Sequence, residues 1–152
     1  MRPLLNILWN VPGLGFVAAF FWVLAGLLMA ITIIGLPWAK ACFTLVNYTL
    51  APFGRELASR ADVTGRESLG TSPLGMLANV VWFLLAGWWL ILLHIAAAGA
   101  SAITIIGIPF AWAHLKIAAA ALAPVGKIVV PSEVASAIDQ EKAAGWLYGR
   151  RR

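Results

Sequence analysis

Two long stretches of this chain carry no charge at all: Gly13 to Leu36, 24 residues, and Met76 to Ile108, 33 residues. About 20 apolar residues suffice to span the hydrocarbon of a bilayer as a helix. Each stretch runs into a Gly-x-Pro break, Gly35-Leu36-Pro37 and Gly107-Ile108-Pro109. Proline removes a backbone donor and restricts the residue before it, so the chain must turn or kink at both places. A second, shorter apolar stretch follows each break, Trp38 to Phe53 and Phe110 to Val125, and ends at Pro-x-Gly and a cation, Arg55 or Lys127. At 1.5 Å per residue such a stretch reaches roughly 24 Å. It crosses only with local thinning or an interfacial end, or else it forms a re-entrant half-helix.

The two halves are copies. Ile31-Thr32-Ile33-Ile34-Gly35-Leu36-Pro37-Trp38-Ala39 returns as Ile103-Thr104-Ile105-Ile106-Gly107-Ile108-Pro109-Phe110-Ala111, and Leu50-Ala51-Pro52-Phe53-Gly54-Arg55 as Leu122-Ala123-Pro124-Val125-Gly126-Lys127, at a constant offset of 72. Over these 25 aligned positions 12 are identical, against roughly two or three by chance, which points to duplication. Asn6 and Trp9 recur as Asn79 and Trp82 at an offset of 73. The apolar prefaces that hold them, Pro3 to Gly15 and Gly75 to Gly87, read as segments lying along the headgroups, where tryptophan is favoured, before glycines turn the chain inward; continuous tilted helices are the other option. The organisation is therefore residues 1–55, first repeat; 56–74, a polar exposed linker; 75–130, second repeat; and 131–152, a tail. In the tail, Pro131-Ser132-Glu133 starts a helix to about Ala144. Trp146-Leu147-Tyr148 with Arg150, Arg151 and Arg152 then suit a surface of anionic lipid.

With 62% hydrophobic and 11% charged residues, the chain has too few polar groups to cover a soluble globule. The first apolar run is too long for a secretory signal, and no small-residue cleavage site follows it. Net charge is +5, but the cations are scattered around the apolar blocks without a basic recognition helix, so they read as topology signals and not as a nucleic-acid site. If every apolar stretch crosses, nine cations share one side and only Lys40 and Lys116 lie opposite. If the second stretches are re-entrant, the division is seven against four. The first division is preferred. It predicts an all-α integral membrane fold of tandem duplicated helical hairpins, four short spans in two parallel hairpins, with both termini and the linker cytoplasmic and a C-terminal amphipathic helix; two spans plus two re-entrant helices is the alternative.

Ionisable groups inside apolar segments are expensive, so Lys40, His94, His114 and Lys116 are the candidate ligand, ion or lipid contacts. Lys40 can snorkel to an interface. Lys116, in mid-helix, suits an aqueous vestibule, a lipid phosphate or a neighbouring subunit, whereas His94 can be satisfied, neutral, by a bond to another helix. These residues and the single Cys42 have no metal-ligand spacing, so no metal or cofactor is expected. All six carboxylates fall in the linker or tail, which leaves no embedded acid pair for proton-coupled transport. No nucleophile elbow or phosphate loop appears. Small residues at Gly26 and Ala30, at Ala96 and Ala100, and from Ala118 to Ala121 permit close helix packing, and favour a homo-oligomer.

The paired Ile-x-Ile-Ile-Gly-x-Pro and Leu-Ala-Pro-x-Gly-[Arg/Lys] signatures, with Gly87-Trp88-Trp89 and His94-Ile95-Ala96 between them, closely resemble the YccF family over most of the chain. That resemblance implies a bacterial inner-membrane protein built from the inner membrane component domain, a unit of about fifty residues in one or more copies; it brings no assigned activity or catalytic residue. The expected function is a non-enzymatic membrane component or scaffold, with a membrane partner possible. A small channel favouring anions through Lys116 is the alternative, and a lipid-handling enzyme ranks third.

Overall fold

A computed structural model of the chain describes residues 1–12, 14–67, 70 and 72–149. The turn expected at Gly13, the linker residue Ser68 and the three terminal arginines lie outside the described residues, as does the side chain of Tyr148. The first repeat comprises α1 (Arg2–Asn10), α2 (Leu14–Ala30) and α3 (Leu36–Leu50). Strand β1 (Arg55–Ser59) and the short α4 (Arg60–Thr64) follow. The second repeat comprises α5 (Pro73–Trp82), a π-type turn (Phe83–Gly87), α6 (Trp88–Ala102) and α7 (Ile108–Leu122). Strand β2 (Lys127–Pro131) and α8 (Ser132–Gly149) complete the chain.

Both Gly-x-Pro breaks are helix starts. Pro37 and Pro109 sit in the first turn of α3 and α7, where a missing N–H costs nothing. Gly35 and Gly107 precede them because a Cβ there would collide with the Met29 or Ser101 carbonyl of the outgoing helix. The tips are tied internally. Thr32 Oγ1 accepts the Gly35 N–H at 3.0 Å and donates to the Met29 carbonyl at 3.1 Å, and Thr104 Oγ1 accepts the Gly107 N–H at 3.0 Å. The Pro-x-Gly signatures end the helices: Gly54 and Gly126 take φ of 86° and 85°, a region open to glycine, and turn the chain into the strands.

The mostly helical chain thus carries one addition to the all-α expectation, an antiparallel sheet across the repeats. Its register is Arg55↔Pro131, Leu57↔Val129 and Ser59↔Lys127. The central pair differs by 72, the repeat offset, so a local two-fold axis passes through it. The flanking bonds obey the same symmetry: the Arg60 N–H donates to Gly126 O and the Ser132 N–H to Gly54 O.

The same axis relates α3 and α7, and it corrects the expected parallel pair of hairpins. Phe110, at the start of α7, lies 6.3 Å from Phe53, just past the end of α3. Trp38, at the start of α3, donates to Ala78 O, and the adjacent Asn79 bonds Val125 just past the end of α7. The two helices therefore run past each other in opposite directions, crossing at Leu45 and Ile117, both fully buried. Each preface is bonded to the end of its own second helix and also touches the start of the other copy's: Trp9 meets Phe110 and His114, and Trp38 bonds Ala78.

The prefaces themselves differ. Arg2–Asn10 and Leu14–Ala30 meet at 73°, whereas Pro73–Ala102 is continuous, 30 residues, and the one helix among the described residues long and apolar enough to cross a bilayer. Trp9 and Trp82, expected at an interface, are buried. Each donates its indole N–H at 2.8 Å to a carbonyl at the end of a second helix, Trp9 to Thr49 and Trp82 to Ala121. Asn6 brackets Phe53 with two hydrogen bonds, and Asn79 brackets Val125 in the same way. The outer surfaces of α2, α5 and α6 remain apolar and exposed. α8 packs on both strands and continues past Gly145, beyond the expected end near Ala144.

Candidate functional site

The two histidines meet. His94 on α6 and His114 on α7 are buried, with their Nδ1 atoms 3.1 Å apart. One nitrogen must donate and the other accept, so the rings adopt complementary tautomers and share one proton across the hairpin. This places His94 in the helix-to-helix bond that its sequence position suggested. The Trp9 indole packs edge-on to His114 at 4.9 Å. In the first repeat the equivalent positions, 72 residues earlier, are Trp22 and Cys42, and Trp82 stacks on Trp22 at 6.1 Å. One copy of the scaffold thus encloses an imidazole pair where the other encloses an indole and a thiol. Among the described residues no three His, Cys, Asp or Glu side chains gather to hold a metal.

Lys116 is bonded within its own chain. Its Nζ donates to Pro52 O at 3.0 Å and Arg55 O at 2.7 Å, lies 2.7 Å from Glu56 Oε1, and stands 5.6 Å from the centre of the Tyr48 ring. The ammonium therefore closes the turn between α3 and β1 while Glu56 balances its charge. The role of Glu56 was invisible in sequence, where it read as a linker residue. A cleft of about 310 Å³ borders this pair and reaches Lys127.

The symmetry-related side differs in charge. Lys40 is exposed on α3 and lines a cleft of about 500 Å³ together with Thr44, Arg60, Glu67, Gly126 and Lys127. The position equivalent to Glu56 is Ile128. Three cations therefore surround this cleft with Glu67 as the acid in its lining, an arrangement suited to an anionic group. Two further ion pairs brace the polar elements: Arg2 on α1 to Glu133 on α8, and, within the polar layer, Lys142 on α8 to Asp62 on α4. The arginine beside Glu133 holds its carboxyl below the usual range.

These features define a duplicated membrane protein with a small polar cap and no assembled catalytic constellation among its described side chains. The profile of the inner membrane component domain matches it twice, over residues 4–55 and 77–127, and the chain belongs to the YccF family. The inner membrane protein YccF of Escherichia coli K12 is 40% identical over 145 residues, covering 94% of this chain and 97% of the relative; YccF of Shigella flexneri matches to the same extent. No solved structure matches.

Proposed function

We propose that this chain is a non-enzymatic component of the bacterial inner membrane, a scaffold that presents a fixed polar cap on the cytoplasmic side to a partner. The observation that carries this reading is the bracing of the cap. The cross-repeat strands and the Lys142–Asp62 pair join β1, β2, α4 and α8 to one another, and Arg2–Glu133 and Lys116–Glu56 bind them to the apolar base. A platform so tied holds a constant shape while the base is anchored in lipid. The cations of the cap favour the cytoplasmic side for both termini and the linker, and the Lys40–Arg60–Lys127 cleft favours contact with anionic headgroups. The channel alternative loses its main support, because Lys116 is committed to Glu56 and two carbonyls of its own chain.

Self-association is part of the proposal. Of the small-residue surfaces, Gly26 is filled by Phe43 and Cys42, and Ala118 and Ala121 are buried within the chain. Ala96, Gly99 and Ala100 on α6 stay exposed, and nothing packs over Gly99. A second copy fits that face by close backbone approach. Native mass spectrometry from lipid nanodiscs tests both parts. A homo-oligomer that Gly99→Leu converts to monomers is the expected result, with anionic lipid retained, and less of it after Lys40→Ala. A wild-type monomer without bound lipid or protein would overturn the reading.

A further inference from the structure

We infer that the chain is embedded in one leaflet only: neither helical hairpin crosses the bilayer, and the two Ile-Thr-Ile-Ile tips end within the hydrocarbon. The internal symmetry fixes the orientation. The two-fold axis passes through Leu57↔Val129 of the sheet and between α3 and α7, whose equivalent Leu45 and Ile117 share the buried core, perpendicular to the strands and to the overlapped α3 and α7. Were the axis to lie in the membrane plane, α3 and α7 could cross in opposite directions, but the sheet beside them would then carry Arg55, Glu56 and Lys127 through the bilayer interior. Charges there are expensive. With the axis along the membrane normal, the strands, α4 and α8 form one polar layer facing water. In that orientation α3 and α7 lie close to the membrane plane, and both ends of each stay near one surface.

Three independent features agree. Lys40 and Lys116, the cations that a crossing arrangement strands on the far side, both turn to the sheet: Lys116 bonds Glu56, and Lys40 shares a cleft with Arg60 and Lys127. All then obey one sidedness. Three of the hairpin helices, α2, α3 and α7, have 17, 15 and 15 residues and rise about 25 or 22 Å, short of the roughly 30 Å hydrocarbon; helices lying along a leaflet have no thickness to match. Finally, the tips are built for lipid. Ile31, Ile33 and Ile34 are 80–87% exposed and Ile103, Ile105 and Ile106 78–86%, with no charge near them, and the Thr-to-Gly bonds satisfy backbone groups that water would otherwise have to meet. The long Pro73–Ala102 helix is held down along its length, by Trp38 at Ala78, by Trp82 at Ala121 and by His94 at His114, so it follows α7.

Single cysteines decide the matter. Ile33→Cys, Ile105→Cys, Lys40→Cys and, as the cap reference, Glu141→Cys are made in a Cys42→Ala background, or in the native background if that variant does not accumulate, since Cys42 is fully buried. A membrane-impermeant maleimide is applied to right-side-out and to inverted inner-membrane vesicles, with a denatured control. Glu141→Cys and Lys40→Cys should label quickly in inverted vesicles alone. Both tip cysteines should label at least tenfold more slowly than Glu141→Cys from either side and become reactive on denaturation. Rapid tip labelling from either face overturns the inference, as does labelling of Lys40→Cys only in right-side-out vesicles or from neither side. The outcome is independent of the scaffold proposal, which stands or falls on the mass of the assembly.

Discussion

Lys116 shows how much a single side chain can carry when its head group is removed from water. With its side chain 13% exposed, it satisfies two carbonyls and one carboxylate at once. Lys116→Met should destabilise the protein by about 2 kcal/mol, because Glu56 and the carbonyls lose a charged donor. Adding Glu56→Gln should recover part of that loss in a double-mutant cycle, read by denaturant titration in micelles. The indole latches make a matched pair: Trp9→Phe and Trp82→Phe each leave a buried carbonyl without its donor and should cost about 1–3 kcal/mol. Similar values for the two would show that the energetic symmetry follows the structural one. Sequence flagged both tryptophans through their recurrence, yet assigned them to the headgroups. An indole with a polar edge suits either a wet interface or a buried carbonyl, and only the partner decides.

Among the elements, the hairpin tips and the entering strands depend on glycine. Gly107→Ala pushes a methyl into the Ser101 carbonyl and should cost about 1–3 kcal/mol, while Gly145→Ala, over open space on α8, should not destabilise the protein. Thermal unfolding of the two variants side by side checks this. The Glu133 carboxyl, lowered by Arg2, links α1 to α8. Its folded value is depressed, so the stabilising contribution is present above the ordinary carboxylate range and is lost as pH falls through the folded value. The protection of α1 amides, taken relative to the intrinsic exchange rate at each pH, should therefore fall in acid, and Arg2→Gln should remove that step. Helices and breaks were legible because apolar blocks, glycine and proline act locally. The strands were not: Arg55–Ser59 is too short and mixed in character to announce itself, and its pairing with Lys127–Pro131 depends on a contact between residues far apart in the chain.

For the whole molecule, duplication was plain in the sequence, but the way the copies embrace was not, since an offset of 72 says nothing about parallel or antiparallel assembly. That choice is made by contacts between the copies, Trp9 against Phe110 and His114 and Trp38 to Ala78, and by a strand that neither copy can pair alone. A unit standing by itself would keep its tryptophan latch, which closes on its own second helix, but would expose the edge of that strand. Two separate single-copy chains would meet the same needs by embracing each other, so the present chain has the form of a homodimer whose subunits have been joined end to end. The join near residues 66–72 is then dispensable for assembly: residues 1–66 and 67–152 produced together as separate chains should reunite, in a complex that contains the two in equal number. Within such a joined pair each half is released from the obligation to match the other, which is how one pocket can hold two imidazoles while its twin keeps an indole and a thiol.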